Sequence, residues 1–259
     1  FGGVTQIRIR GSEGNHVVVL IDGVEVGATS TGEYDFGGMQ AADIERIEVL
    51  RGAQSALYGS NATSGVIQIF TKEGVRNGYQ ATAKIEAGSD ATALTNFGFQ
   101  GGGEDFDAAL SASMRRTVGF NISDFVSEKD GDRNITLNGK ANLDVTENLN
   151  IDVSTRYVNR KSDTDDQDFS GGATQGLVLD TDSFNKTKEF YGSAALNLSS
   201  FQDQLLQKLE GEITDLKQRG FSSGADNGND GRRYHASYQA TLFLDTLDMF
   251  DSNHSFTAA

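Results

Sequence analysis

No cysteine occurs anywhere in the 259 residues. That excludes disulfide staples, thiolate metal sites and a cysteine nucleophile. Proline is absent too, where average usage of ~5% would give about a dozen, and so is tryptophan, so any aromatic belt at a membrane surface has to be built from Tyr and Phe. No apolar run approaches the ~20 residues that a spanning helix needs, the longest being Val17 to Ile21. Spanning helices are thereby excluded, but a transmembrane barrel is not, since each of its strands needs only ~9–11 alternating residues. Basic residues are outnumbered as well, and the net charge of -15 argues against a nucleic-acid partner, which would demand clustered Lys and Arg. Metal cations, cationic ligands or plain solubility remain as explanations of the acidity. With 37% hydrophobic and 9% aromatic residues the chain has enough apolar material for ordered structure.

What is present divides near residue 75. Before it, two alternating runs, Ile44 to Leu50 and Val66 to Phe70, flank a Gly/Ser/Ala-rich turn that opens with Arg51-Gly52 and closes with Gly65, a compact strand-loop-strand unit. After it, the texture becomes strict alternation. Tyr79, Ala81, Ala83, Ile85 and Ala87 interleave with polar residues, and so do Phe106, Ala108, Leu110, Ala112 and Met114, then Ile135 to Leu143 and Leu149 to Tyr157. Similar segments run over 93–101, 188–198, 208–218, 233–244 and 254–259. A period of two puts one face in an apolar medium and the other in water. The links between these segments alternate in length from the third onward: the spans Thr117 to Asn134, Ser162 to Thr187 and Gly220 to Arg232 are long and their neighbours shorter. Barrels in membranes show that asymmetry.

In order and spacing, Ile9-Arg10-Gly11, Val19 to Gly23, Ile44 to Val49, Arg51-Gly52, Ser55-Ala56-Leu57-Tyr58-Gly59 and Gly65-Val66-Ile67 resemble the plug domain of TonB-dependent outer-membrane receptors. Plugs of that family usually carry Pro after the Arg-Gly pair; here Ala53 stands there, and the rigid φ of proline is lost. The resemblance implies an all-β chain with a small α/β plug: residues 1–75 as the C-terminal part of a plug and 76–259 as the first strands of an incomplete transmembrane antiparallel β-barrel. The expected location is the bacterial outer membrane, in contact with its lipid. The expected work is active uptake of a scarce nutrient, cobalamin or, alternatively, a ferric siderophore, driven by the TonB energy-transducing complex. Phe1 opens without a signal peptide, and an energy-coupling box and the first half of the plug are expected to precede it. The alternative from a different class is a secreted calcium-stabilised β-rich surface adhesin, although soluble β folds seldom keep eight strands with polar, charge-bearing inner rows.

Two sets of site residues follow. Family plugs touch the nutrient with loops at their top, which marks Ser12, Asn15, His16, Thr29, Tyr34 and Phe36, the two aromatics offering stacking area. The span from Ser162 to Thr187 carries Asp163, Asp165, Asp166, Asp168, Asp180 and Asp182; hard cations take six to eight oxygen ligands, and a carboxylate-rich loop offers them to calcium or leaves them solvated. Its layout resembles the corresponding calcium-binding loop of cobalamin receptors, and Asp226 and Asp230 of the next long link are candidates to complete the shell. The regularly placed plug charges Arg10, Asp22, Glu45, Arg46, Glu48 and Arg51 are expected to pair with one another and with the barrel wall. No enzyme is expected: Gly220 to Gly224 has nucleophile-elbow spacing, but a loop follows it where a helix is required. His16, His235 and His254 lack metal-ligand spacing.

Overall fold

A computed structural model describes residues 5–28, 31–121, 123, 128–222, 224–245 and 253–258. Thr29 and the 246–252 link lie outside the described residues. The N-terminal part is a four-stranded mixed sheet of β1 (Val17–Ile21), β2 (Val24–Val26), β3 (Ile44–Arg51) and β4 (Gly65–Thr71), in the order β2-β1-β4-β3. Asp22-Gly23 joins β1 to β2 with both φ angles positive, 49° and 90°, as a two-residue hairpin of the type I′ kind requires. β1 runs parallel to β4 and β4 antiparallel to β3. β1 is buried along its whole length because both sheet faces are covered. Val17, Val19, Ile21, Val24, Val26, Ile67 and Ile69 form one cluster with Tyr34, while Val18, Leu20, Ala62 and Val66 form the other. Each such side chain contributes roughly 1.5–3 kcal/mol by leaving water. Between β3 and β4 the Gly/Ser/Ala segment makes a single helical turn, α1 (Ser55–Tyr58), and Gly52 supplies φ 99° where the missing proline would otherwise shape the turn.

Nine antiparallel strands follow in unbroken sequence order: β5 (Gly78–Gly88), β6 (Thr92–Gly102), β7 (Phe106–Thr117), β8 (Asp132–Thr146), β9 (Leu149–Gln167), β10 (Val178–Ser200), β11 (Leu205–Ser222), β12 (Ala225–Asp245) and β13 (Asn253–Ala258). Register fixes the two faces. One cross-strand row reads Phe97, Ala112, Leu137, Tyr157 and Phe190, and a lower one Phe106, Leu143, Ile151, Leu196 and Leu209. Leu110, Leu137, Val153 and Leu209 on this face are all exposed, the condition of side chains that meet hydrocarbon. Tyr79, Phe97, Phe106, Tyr234 and Tyr238 on the same face supply the aromatic belt without tryptophan. The opposite face is polar, and at its short-turn end Asn142, Asp144, Asn150, Asp152 and Asn197 form an interstrand ladder: Asn142 and Asn197 donate to Asp152 at 2.5 and 2.7 Å, and Asn150 donates to Asp144 at 2.7 Å.

Two expectations about links are corrected. The span from Ser162 to Thr187 is mostly strand, with β9 running to Gln167 and β10 starting at Val178, and the span from Gly220 to Arg232 is a tight hairpin in which Ser222 pairs with Ala225. The hairpins continue past the apolar band, where neither face meets lipid and alternation fades, while side chains bridge the strands: Ser183 and Ser222 both donate to Asp166 at 2.8 Å. Gly220 to Gly224 therefore turns a hairpin and precedes no helix.

The two faces predict opposite tolerances. Val153→Arg, on the lipid side, is expected to cost ~2–4 kcal/mol in urea unfolding from bilayers, and Ser154→Ala, its inward neighbour, less than ~1 kcal/mol.

Candidate functional site

The plug sits against the polar face of the wall, and charged groups fix it there at four heights. Near the top, the described residues of the 27–38 loop fold into the bore. Asp35 accepts from the backbone N–H of Gly37 at 2.8 Å and of Thr5 at 2.9 Å, which shapes the loop, and its other oxygen accepts from Arg160 of β9 at 2.7 Å. Arg160 also donates to Asp132 of β8 at 2.7 Å, and Arg115 of β7 donates to the other oxygen of Asp132 at 2.6 Å. Arg115 reaches on to the carbonyl of Gly37 at 2.9 Å, and Asn134 donates to that of Gly38 at 2.5 Å. Asp132 is 2% exposed, so its two guanidinium neighbours are what make its charge tolerable. Gly38 lies against Asn134 and Arg160, at distances of ordinary contact for a Cβ.

Lower down, Asp43 accepts from Asn96 at 2.7 Å and Ser113 at 2.6 Å. Asp22 accepts from the hydroxyl of Thr71 at 2.6 Å and lies 3.3 Å from Lys140, which also pairs with Glu73 at 2.8 Å. On the other flank, Arg233 pairs with Glu25 at 3.1 Å and Thr214 donates to the Glu25 carbonyl at 3.2 Å. At the bottom, in the linker between plug and wall, Arg76 donates to Asp107 and to the Glu104 carbonyl, each at 2.9 Å, and to Asp144 and Asn142. Of the plug charges singled out in the sequence, Asp22 faces the wall, and Arg46 stays within the plug, pairing with Glu48 at 2.8 Å and lying 3.7 Å above the Phe70 ring.

An open cleft of about 490 Å³ lies above the loop, between it and the wall, with Glu33, Asp35, Arg160, Asn185, Gln218 and Asn227 among its lining. One nitrogen of Arg160, Nη2, is buried without a hydrogen-bond partner. Tyr34 lines the cleft too, but its ring is buried at 7% exposure, edge-on to Phe36 with centroids 5.0 Å apart and packed in the plug core with Tyr191. Burial raises the Tyr34 hydroxyl pKa well above its usual value. Phe36 is half-buried. Asn15 and His16 are exposed and Ser12 half-buried, around the short 3-10 turn Gly14–His16 that leads into β1, outside the cleft lining. Thr29 is outside the described residues. Sequence reasoning missed Arg115, Asp132 and Arg160; the available signal was that each stands on the inward row of its strand.

The acidic set is spread along the β9–β10 hairpin. Between Leu179 and Ser183 the register shifts, so that Asp180, Thr181 and Asp182 bulge opposite the single residue Asp165. Asp165 accepts from the Thr181 backbone at 3.0 Å, leaving its second oxygen, and Oδ1 of Asp180, buried without partners. Glu128 faces this bulge, and the charge of Asp180, then burial, then Asp182, Asp165 and Asp130 raise its pKa. Asp168 instead closes the loop tip: hydrogen bonds from Thr174 at 2.6 Å and the Ser170 backbone at 2.8 Å hold its carboxyl below the usual range. Asp163 pairs with Lys161 at 2.6 Å on the outer face, and Asp230 with Arg219 at 2.6 Å. Asp230 therefore does not join the bulge carboxylates, because its strand parity turns it outward. Among the described residues no three His, Asp or Glu side chains form a ready metal cage.

A plug sheet held by polar contacts inside an outward-apolar wall is a specific architecture, and residues 1–66 match the model of the TonB-dependent receptor plug domain. The chain carries a TonB-dependent receptor plug domain, followed by strands with the fold of part of a barrel wall. It is 30% identical over 174 residues to the vitamin B12 transporter BtuB of Photobacterium profundum, covering 64% of this chain and 28% of that protein. It is 30% identical over 168 residues to the rhizobactin receptor of Rhizobium meliloti (strain 1021), covering 59% and 22%. The fold matches that of the ferric-catecholate import receptor Fiu of E. coli K12, with a TM-score of 0.72 at 14% identity, over 94% of this chain and 42% of that one. The chain thus spans about a quarter of the curated relatives' length. The plug match and the barrel-wall fold favour an outer-membrane receptor over the secreted adhesin.

Asp132→Ala would leave Arg115 and Arg160 buried without their shared counter-charge. The expected loss is ~3–5 kcal/mol in urea unfolding of the full-length receptor, with Asp132→Asn losing less.

Proposed function

We propose that this chain forms the plug and part of the wall of an outer-membrane importer that binds cobalamin in the cleft above the 27–38 loop and passes it inward when the TonB complex pulls on the plug. The observation that carries this reading is the loop itself, which forms the floor of the cleft and is tied to the wall through Arg160 and Asp35. Whatever fills the cleft touches the groups that hold the plug. Cobalamin is supported by the vitamin B12 transporter relative and by a lining with several side-chain amides, Asn185, Gln218 and Asn227, which can both donate and accept. A ferric siderophore is the second reading, favoured by the rhizobactin receptor relative and by the ferric-catecholate receptor's fold. Ser12, Asn15, His16, Thr29, Tyr34 and Phe36 remain candidate contacts for a nutrient that reaches beyond the cleft.

Binding of labelled cobalamin and of ferric siderophores to outer membranes holding the full-length receptor tests this. Saturable cobalamin binding, weakened at least about tenfold by Gln218→Ala with Asn185→Ala, is the expected result. Binding of ferric siderophore alone would replace the first reading with the second.

We also propose calcium as a partner of the bulge, with Asp165 and Asp180 as its first ligands and Asp182 beside them, and Asp163, Asp166 and Asp168 acting in hairpin structure. The support is the pair of buried carboxylate oxygens without donors and the crowding that raises the pKa of Glu128. A carboxyl raised in the folded state contributes stability below its unfolded pKa and loses it as pH rises through the folded value. In chelator, proteolytic protection of the hairpin is therefore expected to fall as pH rises through the carboxylate range, and calcium should restore it. Asp165→Asn with Asp180→Asn should abolish the calcium effect; protection indifferent to calcium would remove the ion from the proposal.

A further inference from the structure

Uncharged amides are confined to two heights on the bore face of β10, β11 and β12. Register places Asn185, Gln218, Asn227 and Asn229 near the hairpin ends, and Asn197 with Gln239 near the short turns. The inward rows between them run through Glu189, Tyr191, Thr214, Glu212, His235 and Glu210 and hold no amide. Those middle rows are where the plug rests: Tyr191 joins its core, and Thr214 and Arg233 donate to the Glu25 carbonyl. The four upper amides all line the cleft above the 27–38 loop. The two lower ones line a second, larger cleft of about 730 Å³ at the short-turn end of the wall.

The back of this lower cleft is held rigid. Asn197 donates to Asp152 at 2.7 Å and to Asn150 at 3.2 Å, Asn150 donates to Asp144 at 2.7 Å, and Arg76 pairs with Asp144 from the linker side. Its open side carries groups with hydrogen bonds to give. The side chains of Gln239 and Asn148 are exposed and make no hydrogen bond among the described residues. Leu206 departs from the parity of the wall: it stands on the inward row between Ser199 and Thr241, yet it is apolar and 41% exposed. On that row it adds nothing to the lipid-facing surface and offers a solute an apolar contact beside the amides. Charge selects further. Asp105 and Glu147 on the rim have no ion-pair partner among the described residues, and Lys208 of the lining is already paired with Glu210 at 2.7 Å. An anionic solute is repelled there, and a neutral one is not.

We propose that the short-turn cleft is an exit-side site for the imported nutrient, and that it takes a neutral solute bearing carboxamides and an apolar face. Side-chain amides donate and accept at once, so they match carboxamides on a ligand, and the cavity falls within the ~300–1,000 Å³ range of small-molecule sites. A solute freed from the upper amides meets the same chemistry again past the plug. The larger volume gives a looser fit, so the lower site holds the solute weakly enough to release it. The inference rests on the uptake reading and adds to it a second station and a charge requirement.

Equilibrium dialysis of labelled cobalamin against the full-length receptor in detergent, where both ends are open to solution, tests this. Two classes of saturable site are expected, the second weaker by at least about tenfold. Gln239→Ala with Asn148→Ala should remove the weaker class and leave the stronger, whereas Gln218→Ala with Asn185→Ala should weaken the stronger class only. A stronger class kept intact in the lower variant shows that the protein is folded. A ferric tris-catecholate should not compete for the weaker class. A single class in the unaltered receptor, a weaker class indifferent to the lower pair, or its displacement by the catecholate overturns the exit site while the uptake reading stands. No saturable cobalamin binding at all overturns the cobalamin reading and the exit site with it.

Discussion

Hydrocarbon offers a backbone amide nothing to bond to, and that one fact organises the molecule. Each interior strand from β6 to β11 pairs with both neighbours in sequence order, because an unpaired group there would cost several kcal/mol. Extended pairing then imposes a two-residue period, and the period forces a division of labour: Val153 faces lipid and Ser154 the bore along the same strand. Neither face can be altered without regard to the other's solvent.

Within the bore the opposite economy holds. The plug keeps its own apolar core around Val19, Ile67 and Ile69, and meets the wall mostly through charges and amides. Buried ion pairs contribute little net stability, since desolvation offsets much of their attraction, yet they tolerate few alternative geometries. The Arg115, Asp132 and Arg160 group therefore acts chiefly in placement. It fixes where the 27–38 loop lies, and water can replace its contacts with Asp35 if the loop moves, which an interlocked hydrophobic seam would not allow.

Much of this was legible from the residues alone. The alternating segments after residue 78 appear as strands, and Ile44 to Leu50 and Val66 to Phe70 pair as a strand-loop-strand unit. The hairpins above the membrane were not legible: their strands lack an apolar face, so polar residues such as Asp165, Asp166 and Ser183 have the composition of a loop while their backbones pair as a sheet. The Arg115, Asp132 and Arg160 contact was hidden for another reason. Its members lie 17 and 28 residues apart in sequence and share no spacing motif, only strand parity. Tyr34 stands in a Gly-rich segment that suggests a mobile tip, and only the packing of Tyr191 against it reveals its core position.

The fastening of Arg76 beside the start of β5 sets a leash on the plug. Six residues separate Thr71 from Gly78, and at ~3.3–3.6 Å per residue they reach roughly 20 Å when fully drawn out. With β4 moored that close to the rim, the plug cannot leave the pore as a free body. In an importer of the proposed kind, a passage would come from unravelling at the opposite side of the plug or from a shift of the 27–38 loop within the lumen, with β4 staying beside the rim.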